Sequence, residues 1–454
     1  MNTLPRHALW IVLLLGFLAP RVKSAERFDL PPGEAIQYML EHNRDYQKQL
    51  ADREDARQNV RQTSGEALPS LTSELSWTRI GNISEFSFDP DGSGPESAAV
   101  LKAAAADNYA GKLSLQQPLF NAAVFQAIGV SRSYSRVAEQ GLNAARQTLV
   151  QSFLEQYAQV ILLRDLVDLN QQIVEQTKAH FDEATLLDQM GSLSRYDLLR
   201  SEVEYLNSIP ALREAEKNLS TAENALRITL GLDPEAELVL HKFNVVVDLA
   251  TDPQSLEEMA ARNRPEILLA ENAVEGYRRG VNVYRADQWP VLNAFANAER
   301  SNVWDLFSQN DSWQNSWNAG VSLSVPLFSG FRKDAQVQKG KLSLLRARAD
   351  LALTRDQVRL QTRAAMDELQ RSQADLTAWQ RNVEAAEEGL RIASLRNESG
   401  SGSGLELRDA RTARKLAGVN LATAEYKLRV AQVNLLHAVG DIDRIRIDIA
   451  EGDE

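Results

Sequence analysis

Leu113-Ser-Leu-Gln-Gln-Pro-Leu-Phe120 and Val321-Ser-Leu-Ser-Val-Pro-Leu-Phe328 are one pattern written twice, 208 residues apart. Each alternates apolar and polar positions and closes on Pro-Leu-Phe. Each therefore reads as a short strand with one apolar face, ended where a proline withdraws a backbone donor. The duplication extends outward from this pair. Ala67-Leu-Pro-Ser-Leu71 matches Gln288-Trp-Pro-Val-Leu292, residues 35–52 match residues 256–271, and Ala225-Leu-Arg-Ile-Thr-Leu-Gly-Leu232 matches Val433-Asn-Leu-Leu-His-Ala-Val-Gly440. The offsets are 220 or 221 early and 208 or 209 late, so a loop in the first half is about a dozen residues longer. Four matches in one order make an internal repeat, and the fold has to be read through it.

Inside each repeat the hydrophobic period changes twice. Residues 33–66 place Ile36, Leu40, Tyr46 and Leu50 at helical spacing. A period-two segment follows (Leu71, Ser73, Leu75, Trp77), with its partner between Tyr109 and Leu119. The second repeat offers Val291–Ala298 and Trp317–Val325. Each segment is about ten residues, the length of a tilted membrane strand. Pro69, Pro118, Pro290 and Pro326 stand at the segment ends. The polar stretches Gly81–Asp107, with Asp89-Pro-Asp-Gly-Ser-Gly-Pro95, and Glu299–Ser316 read as exposed hairpin tips.

Residues 122–190 and 331–398 follow, and neither contains a proline. Helices of that length imply coiled coils. Each ends at a glycine-bearing break, Gly191-Ser-Leu-Ser194 or Ser399-Gly-Ser-Gly-Ser-Gly404, and a shorter helix returns to Gly231 or Gly440. Leu416, Val419, Leu421, Ala424, Leu428, Ala431 and Leu435 recur three or four apart on the second return. Each unit is an antiparallel helical hairpin.

The N-terminus, with Arg6 and His7 before the uncharged run Ala8–Ala19 and small residues up to Ser24-Ala25, has the layout of a secretory signal peptide. The expected mature chain carries 62 acidic and 47 basic residues, a net charge of −15. That balance argues against a nucleic-acid partner. There is no cysteine, which excludes disulfides, thiolate metal sites and a lipidated cysteine anchor. The five histidines are scattered, and the sequence offers no phosphate loop, no nucleophile elbow and no metal-ligand cluster. We therefore expect no enzyme, no cofactor and no metal.

No later stretch is apolar enough for a membrane helix, so a membrane-spanning form requires a closed barrel. Four strands cannot close one, since known barrels start at eight, and several chains must pool their strands around a symmetry axis. Periodicity alone leaves two readings open, a pore and a non-pore periplasmic coiled-coil spacer or adaptor. The aromatic residues Trp77, Tyr109, Phe120, Trp289, Phe295, Trp317 and Phe328 in the strand pairs suit membrane interfaces, and favour the pore.

Several pieces together carry a family resemblance: Asn43 and Asn263-Arg-Pro-Glu266 at helix starts, Leu68-Pro-Ser-Leu71 and Trp289-Pro-Val-Leu292 at strand starts, and Gln117-Pro-Leu-Phe120 and Val325-Pro-Leu-Phe-Ser-Gly330 at strand exits. In this duplicated order the chain resembles the TolC-like outer-membrane efflux proteins over essentially its whole mature length. It departs from them in having Arg44 after Asn43, where proline is common, and in its glycine- and serine-rich second break. The resemblance implies a mixed α/β membrane protein, a homotrimer whose chains each give four transmembrane strands to a 12-stranded barrel. Long antiparallel coiled-coil helices would form a periplasmic α-barrel. The expected division is a signal peptide over 1–24, a first repeat over 25–231 (strand pair 69–119, hairpin 122–230) and an equatorial connector over 232–254. A second repeat follows over 255–440 (strand pair 289–327, hairpin 331–440), then a tail over 441–454. A strand is expected around Val245–Leu249. The implied partners are a periplasmic adaptor, an inner-membrane transporter and outer-membrane lipid, and the implied activity is passive export.

The resemblance also implies two sites. Gly191, Leu193, Ser194, Gly400 and Gly402, at the hairpin breaks, would meet the adaptor. Glu406 and Asp409 fall where relatives carry the acidic rings of a closed aperture, and their i,i+3 spacing puts both on one helix face. Asp197 is the matching acid of the first repeat, and Arg408 or Arg411 would pair with neighbours to hold the closed state. The other reading of these acids is a surface role near a helix N-terminus, where negative charge is favoured in any case.

Overall fold

The computed structural model describes residues 27–88, 99–247, 249, 252–306, 308 and 310–449. The signal segment, the Asp89–Pro95 stretch and the last five residues lie outside them. In chain order the elements are β1 (Arg27–Asp29), α1 (Pro32–His42), α2 (Arg44–Gly65), β2 (Ser70–Arg79), β3 (Glu85–Phe88), β4 (Ala99–Lys102), β5 (Asp107–Phe120), α3 (Ala122–Gln189), α4 (Arg195–Leu230), β6 (Glu237–Val239) and β7 (Phe243–Val246). The second half adds α5 (Pro253–Asn263), α6 (Pro265–Ala286), β8 (Val291–Asp305), β9 (Asn310–Ser324), α7 (Arg332–Glu398), α8 (Gly404–Ala438), a 3-10 turn at Ile442–Arg444 and β10 (Arg446–Ile449). The strand expected around Val245–Leu249 is β7, which begins two residues earlier and ends at Val246.

The described residues divide into two compact units, residues 27–43, 159–244 and 449 in one, and those of 44–158 with 245–448 in the other. They cut across the sequence repeats, because compactness follows which segments pack together and not which segments are duplicated.

In the first unit, α4 packs against the α3 residues from 159 onward. Thr177 and Ser208 share a hydroxyl contact of 3.0 Å, and the Phe181 and Tyr205 rings stack at 6.0 Å. Arg164 donates to Glu223 at 2.8 Å and to the Leu238 carbonyl at 2.9 Å. The helical spacing over 33–66 is interrupted at Asn43, the expected helix start, whose ψ of 122° is extended backbone. The buried Asn43 side chain donates to the Thr229 carbonyl at 2.8 Å, which holds the break against the end of α4 without a proline.

The second unit repeats that lock with other residues. The break at Arg264 precedes Pro265, which cannot continue a helix from α5. Arg264 is 4% exposed, pairs with Glu266 at 2.9 Å and donates to the His437 carbonyl at 3.2 Å and to Gln361 at 3.0 Å. Burial, reinforced by the Arg264 charge, depresses the His437 imidazole to about 4. Nearby, Leu256, Leu435 and Val439 form a core joined by Met259, Met366 and Leu369. Along α8, Ala417, Ala424, Ala431 and Ala438 are all buried. A small buried residue every seven positions is the period of a coiled-coil seam. At 1.5 Å per residue, the 67 residues of α7 extend about 100 Å.

The same unit holds a four-stranded antiparallel sheet in the order β2-β5-β8-β9. Its edges are β2 and β9, so within one chain the sheet stays open. β8 and β9 are 15 residues each, longer than expected. Most of Glu299–Ser316, expected as a loop, continues the ladder from Glu299↔Ser316 to Asp305↔Asn310. The residues there are mostly polar, with only Val303, Trp304 and Trp313 as large apolar positions among those paired, so the apolar alternation stops while the backbone pairing continues. In the first repeat the long connection carries the small hairpin β3–β4.

Candidate functional site: a two-faced sheet and two helical tips

The register sorts every sheet residue onto one of two faces. One face carries Leu71, Leu75 and Trp77 of β2, Tyr109, Leu113 and Leu115 of β5, Ala294, Ala296 and Ala298 of β8, and Trp317, Val321 and Leu323 of β9. Exposure reaches 86% at Leu75 and 81% at Trp317, so this apolar face has nothing over it in the single chain. The opposite face carries Ser70, Thr72, Ser76, Ser114, Gln116, Asn293, Asn297, Asn318 and Ser322, with the charged row Glu74–Lys112–Glu299. Asn297 and Asn318 join across it at 2.8 Å.

Aromatic residues bound the apolar face. At the hairpin end stand Trp77, Tyr109 and Trp313, with the Trp77 indole donating to Asp107 at 3.1 Å and Tyr109 lying 6.5 Å from Trp313. At the helix end, Phe120 stacks with Trp289 at 6.5 Å and Phe328 meets Phe331 edge-on at 5.7 Å. The ten strand steps from Trp313 to Leu323 cover about 33 Å, and a tilt of about 40° leaves a band roughly 25 Å tall. That matches the hydrocarbon belt of membrane barrels. Trp317 lies inside the band. Phe295, expected as an interface residue, is instead on the polar face, where a side chain added at Gly320 would meet its ring at 3.0 Å. An odd–even count with no register to anchor it cannot tell the two faces apart.

Sequence reasoning passed over Asn302, Trp313 and Arg300, all inside the stretch taken for a loop. Asn302 is 8% exposed, accepts from the Tyr109 amide at 2.5 Å and donates to the Asp107 carbonyl at 2.9 Å. Its signal was the tryptophan and arginine near it, unusual company for a solvated tip.

The helical tips are built alike, each within its own unit. Gly191 (φ 70°) and Gly400 (φ 74°) take the left-handed turn that reverses the chain, a conformation glycine adopts without steric cost. Ser194 caps α4, accepting from the Asp197 amide at 3.1 Å and donating to its carboxylate at 2.6 Å. Ser403 caps α8 by accepting from the Glu406 amide at 3.2 Å. Both are Ser-x-x-acid caps. Leu193 is half-buried, and Gly191, Ser194 and Gly400 are exposed. Gly402 donates its amide to the Arg396 carbonyl at 2.8 Å.

Glu406 and Asp409 are both exposed on the first turns of α8. Arg396 reaches Glu406 at 3.7 Å across the tip, and Arg408 lies 3.4 Å from Asp409. Arg411 is exposed, and Asp197 sits in its own cap with Arg195 turned to Asp188 at 3.7 Å. Among the described residues no helix is long and apolar enough to cross a membrane, and no cluster of acids and histidines could hold a metal.

Comparison with known proteins gives the family of the chain. The family model described as "Outer membrane efflux protein" matches residues 35–232 and 256–441, the two sequence repeats. The outer membrane efflux protein BepC of Brucella suis is 24% identical over 311 residues, 68% of this chain and 67% of the relative. The outer membrane protein TolC of Escherichia coli K12 is 21% identical over 411 residues, 88% of this chain and 80% of the relative. The Campylobacter jejuni CmeC outer membrane channel has a similar fold, with a TM-score of 0.77 at 16% identity, covering 97% of this chain and 94% of the other. A membrane protein of Pseudomonas aeruginosa gives 0.74 at 20% identity, with coverages of 93% and 98%. With both repeats matched, the chain belongs to the outer membrane efflux protein family, whose members sit in the outer membrane with a helical portion in the periplasm.

Proposed function

We propose that three copies of this chain close a 12-stranded barrel, each sheet joining its β2 edge to the β9 edge of the next. The assembly serves as a passive exit duct from an inner-membrane transporter and periplasmic adaptor. The observation that carries this is the open, two-faced sheet. One face is an apolar band of membrane height between aromatic rims, the other is polar, and both edges await a strand. In lipid an unpaired edge is prohibitively costly, so the sheet must close with other copies. Exposed Leu342, Leu345, Leu353 and Leu360 on α7 offer further apolar surface for neighbouring helices. The polar face, mostly hydroxyls and amides, makes a wetted wall. Relatives are named for cation efflux and for protease secretion, which accords with a conduit whose cargo is chosen by its partners.

In this assembly the tips with Gly191, Leu193, Ser194, Gly400 and Gly402 face the adaptor. Glu406 and Asp409 line the periplasmic aperture, two carboxylates per chain and six per trimer. Clefts lined by one sign of charge concentrate counter-ions, so the closed mouth prefers cations. The Arg396–Glu406 contact holds one hairpin in the closed form. Purified protein in a planar lipid bilayer should show small, cation-selective conductance. The double variant Glu406→Gln with Asp409→Asn should lose much of that selectivity and its block by divalent cations. No conductance from protein that has inserted as trimers would refute the duct. Unchanged selectivity in the double variant would refute the gate alone.

A further inference from the structure

We propose that the membrane-facing surface at the hairpin end of the sheet binds the phosphorylated headgroup of an outer-leaflet lipid, through Arg300 framed by Trp77, Tyr109 and Trp313. This rests on the reading that the apolar face meets lipid. Leu75, Trp77, Tyr109, Gly111, Arg300 and Trp313 line a shallow recess of about 540 Å³ on that face. Gly111 keeps it open, because a side chain there would meet Leu75 at 3.2 Å.

Arg300 is the feature that calls for a ligand. It projects from the face that carries Leu113, Ala298 and Trp317, and its guanidinium lies 5.4 Å from the centre of the Trp313 ring. No carboxylate among the described residues pairs with it. The acids of this face are already engaged, Asp107 by the Trp77 indole at 3.1 Å and Asp311 by the Asn302 amide at 3.3 Å. A cation on the lipid side of a strand is costly at the bilayer midplane and tolerated near the interface, so its place among the rim aromatics is the tolerable one. A guanidinium donates bidentately to phosphate oxygens. Aromatic rings beside it suit the boundary between headgroup and chain. Arg79, on the same face at the end of β2, offers a second cation close to the tip. The helices leave from the opposite end of the sheet, so this end is the outer one. The recess below Arg300 then takes the first segment of an acyl chain against Leu75 and Gly111.

The test uses the purified, full-length assembly in non-ionic detergent, titrated with bisphosphorylated lipid A and with its dephosphorylated form. Bound lipid is read by native mass spectrometry. The parent should hold the phosphorylated lipid more tightly, and Arg300→Gln should weaken that binding about tenfold, as expected for losing a charge-assisted hydrogen bond, with the dephosphorylated lipid unaffected. Arg300→Lys should retain part of the preference, and millimolar inorganic phosphate should not displace the lipid. Equal binding of the phosphorylated lipid by parent and Arg300→Gln would overturn the inference, as would displacement by inorganic phosphate, which marks a free-anion site. Bilayer conductance of the same samples separates the two readings. If Arg300→Gln inserts, conducts and binds like the parent, only the lipid site falls, whereas a parent that never inserts removes the duct itself.

Discussion

Acid should loosen the α5–α6–α8 junction through one histidine. His437 is held at about 4 in the fold by burial and by the charge of Arg264, against an ordinary value of 6.5. Being depressed, it contributes stability that is fully present above pH 6.5, and this is lost as pH falls towards 4, because the unfolded chain takes up a proton that the folded chain refuses. For those two values the linkage integral is about 2 kcal/mol at pH 5 and about 3 kcal/mol at pH 4. His437→Gln keeps the backbone carbonyl that Arg264 holds and removes the titration. Unfolding of parent and variant should be followed by circular dichroism in urea between pH 7.5 and 4.5. The parent should lose about 2 kcal/mol more than the variant on going to pH 5. Other titrating groups are common to both proteins and cancel in the difference. Parallel curves for the two proteins across this range would refute the half-buried, neutral histidine and the junction built around it.

Two further outcomes follow from the tips and turns. Gly440→Ala should destabilise the fold by about 2–4 kcal/mol in the same assay, since it combines left-handed backbone strain with overpacking. Its φ is 72°, and an added Cβ would lie 2.8 Å from the Asn263 carbonyl carbon, whereas Gly33→Ala meets nothing within 4 Å and should be neutral or slightly stabilising. Replacing Gly191 and Leu193 by arginine should abolish co-purification with the adaptor while trimers still reach the outer membrane, and normal co-purification would count against the tip assignment.

The repeat and the alternation of strand pairs with helical hairpins are legible in the sequence alone. These are properties of local period and of backbone pairing, and they survive without coordinates. The extents of α3 and α7 came within a residue or two of the reading, because a proline-free run between glycine breaks leaves few alternatives. The tertiary structure decided what local pattern cannot carry. Asn43 and Arg264 stand where the resemblance places helix starts, and Pro265 marks the second break locally; what no window shows is that each side chain ties its break to a carbonyl some 170–190 residues away in the chain. Phe295 went to the polar face and Glu299–Ser316 joined the ladder, because register fixes faces and backbone pairing continues where apolar alternation has stopped. Arg300 met Trp313 for the same reason. Two residues in what looked like a solvated loop become neighbours on one face only after the strands have paired.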